Sequence, residues 1–246
     1  CSYCGFARTA VEREDPRLDS YVNLVEQEIG LLRRAAQDIL IPVETVYIGG
    51  GTPTVLSEKQ LDRLLGAVQN SFAVTPDTEY TLEGSPETVT REKVRVAVEH
   101  GVNRVSIGAE SFNDHILRDM NRRHSTHEIF RALDSARAEG ITNLDVDLIR
   151  GSMGQGVQEM LNDIQGLEDA AIPSVTSYQF CLKPKTLDFK RFQGVSQDEK
   201  DRIYLHLLFL EGMKDQGRFH YPVDWFPMDE AHVYRHQVLK WKDQLT

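Results

Sequence analysis

Apolar residues recur at helical spacing from Leu18 to about Leu40, with Tyr21, Val22, Val25, Ile29, Leu32 and Ala36 on the repeat, and Pro42 closes the run. Val43 to Ile48 is a short β-branched stretch halted by Gly49-Gly50-Gly51, the pattern of a buried strand feeding a tight turn. Ser57 with Gln60 forms a capping-box pattern ahead of Leu61, Leu64, Leu65 and Val68, which predicts a second helix. The alternation repeats. Strand Glu79 to Glu83 precedes helix Arg91 to His100, which Gly101 terminates, and strand Asn103 to Ile107 follows. Helices Asp114 to Met120 and Thr126 to Glu139 lead to strand Thr142 to Ile149, then helix Val157 to Ala170 and strand Ser174 to Leu182, closed by Pro184.

Strands alternating with helices predict an α/β chain with a parallel sheet. From Gln197 to Gln216 the pattern becomes one amphipathic helix, and Phe219 to Thr246 is aromatic, Pro-containing and His-rich. One large domain is the default for 246 residues, divided here into a core, 1–190, and the start of a cap or substrate region, 191–246.

Charge narrows the function classes. The formal charge of -10 repels polyanions, which speaks against non-specific nucleic-acid or anionic-membrane binding. No apolar run reaches the length of a membrane span and the start has no signal-peptide layout, so a cytoplasmic protein is expected. Three cysteines make a disulfide framework a poor reading, and Cys181 reads as a small core hydrophobe.

Cys1-x-x-Cys4 brings two thiols within reach of one metal or cluster, and by itself it reads equally as a redox dithiol or half a zinc site. Gly49 to Thr52 leaves backbone open to a ligand, with a plain tight turn as the alternative; it is neither a dinucleotide fingerprint nor a P-loop. The stronger argument is coincidence. The strand ends carry Gly49 to Thr52, Glu83, Gly108 with Glu110, and Asp147 with Arg150, and in a β/α barrel such ends share one face.

Cys1-Ser-Tyr-Cys4-Gly-Phe6, Val46-Tyr-Ile-Gly-Gly-Gly-Thr-Pro53, Val105-Ser-Ile-Gly-Ala-Glu-Ser-Phe112, Asn121-Arg-Arg-His-Ser125 and Asp145-Val-Asp-Leu-Ile149 occur in this order. Together they resemble the radical S-adenosylmethionine (SAM) superfamily, in the branch of oxygen-independent coproporphyrinogen III oxidase, the related heme chaperone and C-methylases. The resemblance implies a partial (β/α)6 barrel, a [4Fe-4S] cluster and SAM, whose reductive cleavage yields a 5′-deoxyadenosyl radical. Cys1 and Cys4 match the second and third cluster cysteines, as metal ligands and catalytic residues. The first cysteine and the first strand are expected upstream, so the chain reads as truncated at both ends. By motif position, Gly49, Gly50, Gly51 and Thr52 approach the methionyl group, Glu83 and Arg122 contact it, Asp147 takes the ribose hydroxyls, and Phe6 and Glu110 line the same site. For Arg122 a solvated surface charge is the alternative, whereas an acid within Leu144-x-Val146-x-Leu148 needs a partner. The resemblance also implies an electron donor such as flavodoxin or ferredoxin.

Departures from the family pattern bear on the subfamily. Phe6 stands where the oxidase has a further cysteine, Glu110 replaces a neutral amide, and Arg150 replaces an aromatic near the expected substrate. The heme-associated His-Asn-x-x-Tyr-Trp stretch survives only as His236 and Trp241, for which packing is the alternative to heme contact. Tyr221, Trp225, Phe226 and Tyr234 suit either the wall of a planar substrate or a packed subdomain. These departures favour C-methylation or cyclopropanation of an unsaturated or aromatic compound, with two SAM molecules, over heme chaperoning or heme utilisation of a tetrapyrrole, and over porphyrinogen oxidation.

Overall fold

The computed structural model describes residues 1–6, 9, 11, 15–36, 43–195, 198–220, 225–233 and 235. Six strands follow one another in chain order across one sheet, and the chain divides into two compact units whose segments interleave.

One unit takes in 8–106, 134–142 and 234–246. Helix α1, Pro16–Ala35, starts where Asp15 accepts from the Arg17 amide and Pro16 fixes the first turn. Leu18, Val22 and Ile29 are its buried stripe, against α2, Glu58–Ser71. The predicted capping box is present: Ser57 accepts from the Gln60 amide, and the Gln60 side chain reaches back to the Ser57 amide. Strand β1, Thr45–Ile48, pairs in parallel with β2, Glu79–Gly84, placing Ile48 opposite Leu82. Helix α3, Arg91–Glu99, is capped by Thr90 and ends at His100 and Gly101, whose φ of 82° is the left-handed stop the sequence predicts.

Strand β3, Arg104–Glu110, extends past the expected Ile107 and runs from that unit into the other, which takes in 1–7, 107–133 and 143–233. Helices α4, Asp114–Asp119, and α5, Thr126–Ala138, follow, then β4, Asn143–Arg150, and α6, Val157–Asp169. Strand β5, Ser174–Gln179, pairs in parallel with β4. It stops short of the expected Leu182 because β4 ends: Gly151 turns away at φ 70°, and the Phe180 amide bonds the Arg150 carbonyl. Cys181 therefore lies beyond the ladder and is exposed, which overturns its reading as a core hydrophobe.

The sixth strand, β6, Trp225–Pro227, runs antiparallel to β5 and has no local signature. Its indole N–H donates to Ser174 Oγ at 2.7 Å, and Ser174 and Thr176 donate to the buried Asp145. Trp225 and Phe226 are buried, so they pack the interior rather than wall a substrate. Phe226 meets Phe209 edge to face at 5.3 Å, on helix α8, Glu199–Asp215. Burying each of these rings contributes about 1.5–3 kcal/mol. The apolar stripe of α8 is narrower than a broadly amphipathic helix: Leu205, Phe209 and Met213 are buried, while Ile203, Tyr204 and Leu207 are exposed. Between β5 and α8 lies α7, Leu187–Arg191, capped by Thr186. No helix among the described residues is long and apolar enough to cross a membrane.

Candidate functional site

The cysteine segment is fixed through the two residues between its thiols. Ser2 is buried, donating from both its amide and its hydroxyl to the Met120 carbonyl at 3.2 and 3.0 Å, and its carbonyl accepts from the Asp188 amide at 3.1 Å. Tyr3 packs against Ile116, Met120, Ile149 and Phe180. Cys1 is left exposed and Cys4 half-buried.

Arg122 closes over this segment. Its guanidinium donates to Cys1 Sγ at 2.9 Å and to the Gly108 carbonyl at 2.6 Å, and it lies 3.5 Å from the Glu110 carboxylate. Only 9% of its side chain is exposed, so the reading of Arg122 as a solvated surface charge gives way to a fixed cation at the thiols. Glu110 ends β3 in the left-handed region, φ 67°, a conformation that costs about 1–2 kcal/mol for a residue with a Cβ. Its carboxylate is hydrogen-bonded to Tyr3, whose hydroxyl is pushed well above its ordinary pKa, first by burial and then by the Glu110 charge. Glu110 thus joins Tyr3 to Arg122. In the same motif His124 is buried and turned to the Ala109 carbonyl at 3.0 Å.

The turn after Glu110 rests on a residue that sequence reasoning missed. Asp163, on α6, accepts from Ser111 Oγ at 2.8 Å, the Phe112 amide at 2.5 Å, Asn113 Nδ2 at 2.9 Å and Gln155 Nε2 at 2.8 Å. Gln155 Oε1 in turn accepts from the Gly151 amide at 2.5 Å. One carboxylate therefore ties the loop after β3 to the loop after β4. Burial pushes it up to about 7 despite those donors. The available signal was an acid between Met160 and Leu167, within the apolar stripe of its helix.

On β4, Asp147 is half-buried, and Asp145 is the acid set deepest in the strand. Arg150 is 4% exposed, donating to the Ser177 carbonyl and hydroxyl at 3.2 and 3.0 Å and lying over the Phe209 ring. Its charge is thus spent inside the protein, unlike the substrate-facing cation the sequence suggests. Phe6 is exposed, with the Lys183 ammonium 6.0 Å from its ring centroid. His236, Trp241, Tyr221 and Tyr234 lie outside the described residues.

The glycine loop and Glu83 form a second group, within the other unit. Glu83 accepts from the Tyr47 hydroxyl with one oxygen and from the Gly50 amide, at 2.9 Å, with the other. A Cβ at Gly49 would lie 2.4 Å from the Tyr47 side chain and 2.6 Å from Glu83, so glycine is required there by the protein's own packing. Gly50 needs its φ of 109°. At Gly51 a Cβ would meet nothing within 4 Å, so this backbone lies open. Thr52 opens the short 3₁₀ turn Pro53–Val55, and the Lys93 ammonium holds that turn to the loop after β2 through the Thr54 and Thr88 carbonyls, at 2.6 and 3.4 Å.

The donor chemistry fits an iron-sulfur group in part: two soft thiols with a cation beside one of them. Among the described residues no group of three His, Cys, Asp or Glu side chains could hold a metal ion. In the unit of the glycine loop the backbone at Gly51 is open to a ligand, and in the unit of the cysteines the Arg122 guanidinium suits a carboxylate.

A family model for the radical SAM superfamily matches residues 1–164. The heme chaperone HemW of Lactococcus lactis is 26% identical over 99% of this chain and 63% of its own length. HemW of Bacillus subtilis is 31% identical over 83% of this chain and 52% of its own. The chain thus spans about half to two-thirds of these relatives. Among solved structures, coproporphyrinogen III oxidase HemN of Escherichia coli shares the fold with a TM-score of 0.84 at 24% identity, over 96% of this chain and 55% of that one. With the match running through two-thirds of its length, the chain belongs to the radical SAM superfamily.

Proposed function

We propose that this chain is part of a heme-handling radical SAM protein of the heme-chaperone kind. Cys1 and Cys4 would supply two cluster thiolates, and Gly49 to Thr52, Glu83, Arg122 and Asp147 would receive SAM. The observation that carries the cofactor reading is the Arg122 guanidinium fixed at 2.9 Å from Cys1 Sγ. When bound, the reduced cluster supplies the electron that splits SAM.

The chain's own residues have distinct tasks in this reading. Arg122 offers a cation to the methionyl carboxylate while Glu110 and Gly108 restrain its direction. Glu83 holds the glycine loop by the Gly50 amide, and the open backbone at Gly51 admits the ligand. Asp147 accepts from ribose hydroxyls, and Phe6 borders the thiols. Residues 1–190 carry these groups and 191–246 begin the substrate region, with His236 and Trp241 as candidate heme contacts. An electron donor such as flavodoxin or ferredoxin completes the scheme.

The relatives favour heme handling over C-methylation, the main sequence-based expectation. One ground for methylation is also weakened, since Arg150 points its charge at Ser177 rather than at a substrate. The need for a second SAM belongs to the methylation reading alone.

The test uses the full-length protein, loaded with iron and sulfide without oxygen. Cys1→Ala is expected to lose iron-sulfur absorbance, and His236→Ala to lose hemin binding while keeping the cluster. Hemin affinity unchanged in His236→Ala would remove the proposed heme contact. Formation of S-adenosylhomocysteine with an unsaturated acceptor would favour methylation.

A further inference from the structure

In a chain of net charge -10, residues 183–191 read Lys-Pro-Lys-Thr-Leu-Asp-Phe-Lys-Arg, four cations against one acid. That acid, Asp188, is buried, while Lys183, Lys185, Lys190 and Arg191 are exposed. The segment is built against the cysteines. The Asp188 amide donates to the carbonyl of Ser2, the Lys183 stem lies over Gly5, and its ammonium stands above the Phe6 ring. Arg191 donates to the Asp119 carbonyl and pairs with the Asp119 carboxylate at 3.8 Å, next to the Met120 that anchors Ser2. For Lys183, Lys185 and Lys190 no ion pair is recorded among the described residues, so three exposed positive charges face solvent on the segment that borders exposed Cys1.

We propose that Lys183, Lys185 and Lys190 form a docking surface for an acidic electron-carrier protein at the edge of the Cys1–Cys4 segment. This rests on the reading of those cysteines as cluster ligands. The cations are distributed along an exposed turn and a one-turn helix, which suits the surface of a macromolecule better than a single small anion. Redox partners meet through small, transient interfaces in which charge complementarity steers the encounter, and a basic patch on an otherwise acidic protein selects one orientation. Proximity to the thiols is what such a partner needs, and the polar rim needs little buried apolar area.

The experiment measures binding of flavodoxin to the chain by calorimetry at low and high salt, for the wild type, Lys183→Glu/Lys185→Glu/Lys190→Glu and Lys185→Glu/Lys190→Glu. The double variant leaves the Lys183 packing against Gly5 intact, and circular dichroism checks that both variants fold. Binding weakened by salt and at least about tenfold by either variant is the expected result. Absence of binding at low salt, or equal binding by wild type and both variants, overturns the proposal. So does loss of affinity for a porphyrin carboxylate with flavodoxin binding unchanged, which makes the patch a site for a small anion. Iron-sulfur loading is measured separately: charge-dependent binding by a chain whose Cys1 and Cys4 take up no iron keeps the docking surface and removes the cluster reading.

Discussion

Arg122 and Cys1, 121 positions apart in the chain, are joined by a guanidinium-to-sulfur hydrogen bond of 2.9 Å. The same guanidinium faces Glu110, whose side chain is 11% exposed, so each charge offsets the desolvation of the other. Arg122→Ala strands a largely buried carboxylate and is expected to lower unfolding stability by roughly 3 kcal/mol. Adding Glu110→Gln should recover a good part of that loss. Urea denaturation of the four members of this cycle reads the coupling, and additive losses would show that the two charges do not support each other.

The glycine loop separates a folding requirement from a binding one. Gly50→Ala forces a Cβ into a left-handed conformation and should lose about 1–2 kcal/mol. Gly51→Ala meets no neighbour and should stay within about 0.5 kcal/mol of the wild type. Its SAM dissociation constant should nonetheless rise by about tenfold or more, equivalent to about 1.4 kcal/mol. Unchanged SAM affinity in Gly51→Ala would remove the reading of that backbone as the ligand's path.

Asp163 makes stability depend on pH with a defined sign. Its carboxyl titrates at about 7 in the folded protein against 3.8 as its ordinary value, so the folded state binds the proton more tightly. Its contribution therefore falls as pH rises between about 4 and about 7 and levels off above that window. Asp163→Asn cannot titrate. The unfolding free energy of the wild type minus that of the variant should decline between about pH 4 and about pH 7. A flat difference would mean that the carboxylate is already ionised at the lower pH.

Lys93 is buried and donates to the Thr54 and Thr88 carbonyls. Lys93→Met keeps the stem and removes the donors, leaving two carbonyls to find other partners. The expected loss is about 1–3 kcal/mol, with faster proteolysis in the loops at 49–54 and 84–89. Wild-type stability and protection would show that the ammonium is not what ties the two loops.

Local interactions made most of the fold legible in the sequence. The Ser57–Gln60 cap, the Gly101 stop and the strand-helix alternation depend on residues a few positions apart, and five of the six strands were located from them. The motif order likewise carried the superfamily, because each motif is a short stretch with its own chemistry. What the sequence left undecided depends on contacts that only folding creates. Three residues at Trp225–Pro227 become a strand because β5 offers an edge and Asp145, through Ser174, holds the indole. Cys181 becomes exposed because β5 stops at Gln179, where β4 offers no further edge, short of the Leu182 that a pattern of apolar positions suggests. Arg150 reads as a free cation until Ser177 and Phe209 surround it, and Glu110 has no evident role until Tyr3 and Arg122 meet its carboxylate. Charge type and periodicity are properties of single residues and short windows. Whether a charge is spent inside the protein or left for a ligand is decided by partners brought from tens of residues away, whose desolvation and pairing energies no local pattern contains.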